Sequence, residues 1–246
     1  MTTVEPPPRS IDAPRLVLLP GLGVDGRLYG PQRALPVRLE VVEWPEPESQ
    51  DETLAHYSAR LAAGIRGGGD AYIGGVSLGA MVALEAAKHL DVRGVFLIGG
   101  CRSHRQLSAM FKGICTLAGW MPRRLIRPSL ALAPPAFKLF EGLNADQIRL
   151  MTTMLRESPP ERTRWSARAI MGWECGRDPP APIHVIHGER DEVIPLKSVR
   201  PDHVVKEGRH LISLAHAGEV NRFLLNRLLQ GPSAWAPAPK ELQVGS

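Results

Sequence analysis

The stretch AYIGGVSLGAMVALEAAKHL, residues 71–90, decides the fold. Ala71–Val76 is a short run of apolar residues and glycine and reads as a strand. Leu78–Leu90 is Ala-rich, has no breaker after Gly79 and reads as a helix. Only Ser77 stands between the two. A strand that becomes a helix across one residue turns a sharp corner. Gly75 and Gly79 flank that corner at the positions where a side chain would strike the neighbouring strand or helix. The pattern G-x-S-x-G in this strand–turn–helix context is the nucleophile elbow, which lifts a serine hydroxyl clear of a sheet.

Working outward, RLVLL (Arg15–Leu19) reads as a strand closed by Pro20-Gly21. The Gly-rich loop PGLGVDG follows, then an expected helix from about Arg27 to Leu35. Val37–Glu43 reads as a second strand stopped by Trp44-Pro45. Thr53–Ile65 has helical spacing in Leu54, Tyr57, Leu61 and Ile65, with Thr53 as N-cap and Gly67-Gly68-Gly69 as terminator. Val92–Ile98 reads as a fourth strand. Continuous apolar strands alternating with helices predict a doubly wound, mostly parallel α/β sheet covered on both faces. The rhythm breaks over residues 101–180, where helices are expected near Gln106–Ala118, Ala145–Arg156 and Glu161–Gly172. A structureless loop of that length does not suit a compact domain. The segment therefore reads as a helical cap inserted over the sheet. Alternation resumes with strands at Ile183–His187 and Asp202–Val205 and a closing helix at Ala217–Leu229. The expected division is a core of residues 14–100 and 181–230, a cap of 101–180, a loose leader of 1–13 and a flexible tail of 231–246.

Composition agrees with a folded body: 246 residues, 43% hydrophobic and 22% charged. No window approaches the roughly 18 apolar residues of a membrane helix, and the leader lacks the features of a secretory signal. Cys101, Cys115 and Cys175 are odd in number and form no CxxC pair. They suit a reducing cytoplasm and offer no zinc site. A soluble, cytoplasmic protein is expected, with no metal or other cofactor required by the motifs.

A serine needs a base, and the base needs an orienting carboxylate. On folds built around this elbow both stand on loops after later strands, in the order serine, acid, histidine. After IHVIH comes GERDEVIP, which offers Asp191, with Glu189 and Glu192 as neighbouring alternatives. After DHVV comes KEGRH, which offers His210. His184, His187 and His203 fall in or beside strands and read as packed or half-exposed rings. His56 and His89 fall on helices, His104 in the cap and His216 near a helix start. An oxyanion hole is expected from the backbone N–H of Leu78, directly after the serine, and of Leu22 in the first loop. That loop lacks both GxGxxG and a Walker lysine, which argues against a phosphate cradle.

Together LLPGLG, GGVSLG, HGERDEVIP and EGRHLISL, in this order between Arg15 and Gln230, resemble the α/β-hydrolase superfamily, in its small esterase/lipase-like form with a helical cap. One departure is Pro20-Gly21, where relatives often carry His-Gly. The resemblance implies cleavage of a carboxylic ester of a small or medium apolar acyl substrate through an acyl-enzyme. The cap would then lie over Ser77 and shape the acyl pocket with residues such as Met110, Leu117, Trp120, Met151, Leu155 and Trp165, most of which also suit the cap's own core. Between Cys101 and Phe140 the cap carries five Arg, two Lys and no acid. That run reads either as a solvated face or as a contact for an anionic acyl carrier or lipid surface. No nucleic-acid module accompanies it. The same motifs fit a thioesterase, and with less support perhydrolases, C–C hydrolases and lyases. A non-catalytic binding protein on this scaffold is a rival that an intact Ser77, Asp191 and His210 argue against. A dehalogenase would need Asp where Ser77 stands.

Overall fold

The computed structural model describes residues 13–65, 69–129 and 142–230. One sheet contains β1 Arg15–Leu19, β2 Arg38–Val41, β3 Ala71–Val76, β4 Gly94–Ile98, β5 Ile183–Gly188 and β6 His203–Val205. Its order is β2-β1-β3-β4-β5-β6, and every neighbouring pair is parallel. The chain steps to opposite sides of β1 to form β2 and β3. The switch point therefore lies between β1 and β3, where sheets of this kind bind ligands beyond the strands' carboxyl ends.

The helices are α1 Leu54–Gly64, α2 Leu78–Ala86, α3 Ala109–Trp120, α4 Arg123–Ser129, α5 Ala145–Glu157, α6 Pro160–Met171, α7 Ile212–Ala215 and α8 Ala217–Gln230. Strand alternation sends Val17, Leu19, Ile73, Val95 and Leu97 into one core with α1 and α2. Leu16, Leu18, Tyr72, Phe96 and Ile186 enter the other core with α8. Both faces are thus covered, as the apolar strands require.

The departures from expectation have local causes. The helix expected over Arg27–Leu35 is two 3-10 turns, Gly26–Tyr29 and Pro31–Ala34. Pro31 has no N–H, so a helical ladder cannot run through it. β2 is shorter than expected and none of its residues is fully buried, because it is an edge strand. β4 starts at Gly94 instead of Val92. α2 ends at Ala86 instead of Leu90, where Lys88 and His89 tighten onto the carbonyls of Glu85 and Ala86. α3 starts at Ala109, after Ser108, whose hydroxyl caps the N–H of Phe111. Residues 1–12 and 231–246, the Gly67-Gly68 part of the terminator, and the cap's Leu130, Leu132, Phe137, Leu139 and Lys138 lie outside the described residues.

Between β4 and β5 the described elements are helical, apart from the single bridge Ser103–Glu174. α6 anchors this segment. Its Trp165 is fully buried, lies 4.3 Å from the Tyr57 ring and donates to Glu52 O at 2.9 Å. Met151 and Met154 of α5 are buried in the opposite core.

Candidate active site

Ser77 is the corner between β3 and α2, with φ 56° and ψ −116°. A non-glycine residue held there is strained, and the surroundings must enforce it. They do so by backbone contact. A Cβ on Gly75 would lie 2.3 Å from Gly79 C, and a Cβ on Gly79 would lie 2.0 Å from Leu19 O. The ends of β1 and β3 and the first turn of α2 therefore meet with no room for a methyl group. Ser77 N–H continues the sheet by donating to Ile98 O at 3.1 Å.

Asp191 and His210 come from the loops after β5 and β6. Those loops are clamped together, because Arg190 N–H donates to Gly208 O at 2.7 Å and a Cβ on Gly188 would lie 2.2 Å from Arg209 O. His210 Nδ1 lies 2.8 Å from Asp191 Oδ2. A carboxylate only accepts, so Nδ1 carries the proton and Nε2 is the acceptor nitrogen of the neutral ring. The other oxygen, Asp191 Oδ1, accepts from the N–H groups of Val193 and Ile194 at 2.9 and 2.8 Å. Burial raises the Asp191 carboxyl. The charge of His210 and the hydrogen bonds of His187 and His210 more than reverse this, and hold it well below the usual carboxylate range. The alternatives fall away: Glu189 and Glu192 are exposed, Glu189 accepts from Glu207 N–H, and Glu192 faces Arg209 at 3.5 Å.

The serine and the pair both border the end of β4. Ser77 is bonded to Ile98. At the next residue, Gly99, a Cβ would lie 3.7 Å from His210 Nδ1 and 3.8 Å from Asp191 Oδ2. All three side chains are buried. The loop after β1 closes the other side, since a Cβ on Gly21 would lie 3.8 Å from Ser77 Cβ. Leu78 opens α2, so its N–H has no intrahelical acceptor. Leu22 sits in the turn directly after Gly21. A cavity of about 460 Å³ opens beside this loop at Pro20, lined by Val24, Val41, Trp44, Arg33 and Arg162 among others.

Two supporting residues escaped the sequence reading. Tyr29 Oη donates to Leu19 O at 2.6 Å and fixes the end of β1 from below. His187, read as a packed strand histidine, is indeed fully buried, but its Nε2 lies 2.8 Å from Ile194 O and 3.2 Å from Asp191 Oδ2. Its position directly before Gly188 at the end of an apolar strand was the available signal. Cys101 is close by, yet burial pushes its thiol up to about 12, so it is no rival nucleophile. Away from the site, Glu48, Glu52 and His56 draw together, but Arg60 occupies the two carboxylates at 3.4 and 3.1 Å.

Three cations of the basic run are answered from within the same segment. Arg102 pairs with Asp178 at 2.6 Å, Arg105 with Glu174 at 3.5 Å, and Arg123 with Glu161. No helix among the described residues is long and apolar enough to cross a membrane.

Residues 16–223 match the model of the alpha/beta hydrolase family. No curated protein matches the sequence. Among solved structures, a thermophilic esterase from Thermogutta terrifontis is similar at TM-score 0.65 and 17% identity, over 88% of this chain and 89% of that one. A bromoperoxidase from Bacillus anthracis is similar at TM-score 0.69 and 17% identity, over 88% and 92%. An esterase from Exiguobacterium antarcticum is similar at TM-score 0.70 and 14% identity, over 89% and 93%. At these identities the likeness is one of fold.

Proposed function

The chain belongs to the alpha/beta hydrolase family, and from that premise we propose that it is a serine hydrolase cleaving a carboxylic ester of a small or medium apolar acyl substrate. One observation carries this reading. A serine strained at the corner of β3 and a histidine bonded to a carboxylate at 2.8 Å border the same strand end.

In this reading Ser77 Oγ attacks the acyl carbon while His210 Nε2 takes its proton. Asp191 stabilises the imidazolium and holds its ring. The N–H groups of Leu22 and Leu78 receive the oxyanion. His210 then gives the proton to the leaving alkoxide, and water frees the acyl group by the reverse steps. His187 is a positioning residue: its Nε2–H ties Asp191 Oδ2 to Ile194 O, so the carboxylate cannot turn away from His210.

Thioester cleavage uses the same groups. Its special support was the acid-free basic run, and the internal pairs of Arg102, Arg105 and Arg123 weaken that support. The deciding experiment is a panel of chromogenic esters and acyl-CoAs of graded acyl length, run with wild type and Ser77→Ala. The expected result is turnover of short and medium esters that Ser77→Ala abolishes. Turnover that survives the substitution overturns the nucleophile, and exclusive acyl-CoA turnover overturns the ester assignment.

A further inference from the structure

Helix α3, AMFKGICTLAGW, carries a single charge, Lys112. Such a helix normally lies buried on all sides. Here one face packs on α6, where Cys115 and Gly119 are buried and a Cβ on Gly119 would lie 2.9 Å from Arg168 Cγ. The opposite stripe stands in solvent. Met110 is 50% exposed, Ile114 51% and Leu117 64%, and these residues are three and four apart on one side of the helix. Trp120 at the helix end is 72% exposed, and Leu125 on α4 is 49% exposed. Large apolar side chains gathered this way mark a contact surface.

Charge says what kind of surface. Lys112 lies within α3 and Arg124 follows it, while Arg123 is already paired with Glu161. No acid occurs between Cys101 and Phe140. Arg124 is exposed and pairs with no acid among the described residues. Arg168 places its guanidinium 4.5 Å from the centre of the Trp120 ring and pairs with Asp51 at 3.2 Å, so it braces the ring, and the cations with no acid beside them among the described residues are Lys112 and Arg124. An apolar stripe with a tryptophan at its end and cations beside it matches the headgroup–acyl boundary of an anionic bilayer. Self-association of this face would set Lys112 and Arg124 against their own copies.

We propose that the outer face of α3, with Trp120, Leu125 and the flanking cations, docks onto an anionic lipid bilayer. The surface lies in the segment between β4 and β5, so an enzyme held this way would meet acyl esters that partition into lipid. The docking itself does not depend on the identity of the nucleophile.

The test is flotation of the full-length protein with vesicles of phosphatidylcholine alone or mixed equally with phosphatidylglycerol, alongside light scattering. Wild type and Ser77→Ala should bind the mixed vesicles alike, at least about tenfold more than neutral ones, with binding weakened by salt. Ile114→Asp/Leu117→Asp should lose about tenfold or more of that binding while melting as wild type does, since both positions are exposed. Lys112→Gln/Arg124→Gln should bind several-fold less and lose most of the salt sensitivity. Failure of wild type to bind, equal binding to both vesicles, or unchanged binding by the aspartate variant overturns the proposal. So does a dimer that the aspartate variant dissolves, because the face would then belong to a second copy.

Discussion

The loops at the carboxyl edge of the sheet and the helix α3 are built on opposite terms. At the edge, backbone touches backbone: Gly75 on Gly79, Gly79 on Leu19 and Gly188 on Arg209, all without room for a methyl group. On α3 the glycine at position 113 has nothing within 4 Å of an added Cβ, and the apolar face around it is open. The first region stores strain at Ser77 and needs every neighbour to hold it. The outer face of the second tolerates change because nothing among the described residues packs on it, while its inner face rests on α6. Close backbone packing is thus concentrated around Ser77 and the loops that carry Asp191 and His210.

The sharpest way to break the contrast is to add one methyl group to each region. Gly79→Ala forces Leu19 O and Pro20 O aside. It should cost about 3 kcal/mol or more, seen as a melting temperature lower by about 6–12 °C or as no folded protein. Gly113→Ala should do the reverse and raise stability by about 0.5–1 kcal/mol, since alanine is the better helix former and meets nothing. Equal effects at the two positions would dissolve the distinction.

Within the rigid region, Asp191→Asn should keep the fold and reduce kcat by about 10⁴-fold, because an amide facing His210 favours the wrong tautomer. The same pair has a pH signature. The Asp191 carboxyl is held below its unfolded value. Its contribution to stability is therefore complete above about pH 4 and is lost as the pH falls through the lower folded value. Melting curves of wild type and Asp191→Asn should converge as the pH is lowered below about 4. A smaller effect is expected at His187. His187→Leu removes a hydrogen bond to a charged group and should lower kcat about 10–100-fold with KM little changed. His187→Gln, which keeps an N–H at the same reach, should restore most of it. Equal loss in both variants would make His187 merely structural.

The contrast also explains what could be read from the chain. The placement of Ser77, Asp191 and His210 just beyond strand ends was legible because strands and glycines mark their loops. The parallel sheet followed from the alternation of apolar runs with helices. The 3-10 turns before β2 were not legible as such, because a helix was expected straight through Pro31. For His187 the position before Gly188 was the one signal, and it does not say what the ring meets, because Asp191 reaches it only through the turn after Gly188. The open face of α3 was illegible for a related reason. Met110, Ile114 and Leu117 have the pattern of core residues, and only packing tells which of α3's two apolar faces finds a partner.

The account rests on the reactivity of the Ser77 hydroxyl. Its most direct test is intact-mass spectrometry after treatment with a serine-directed phosphonate, followed by peptide mapping. The account predicts one phosphonyl group per chain, attached at Ser77, forming rapidly in wild type and much more slowly in His210→Ala. An unmodified folded protein, or labelling that persists in Ser77→Ala, would contradict it.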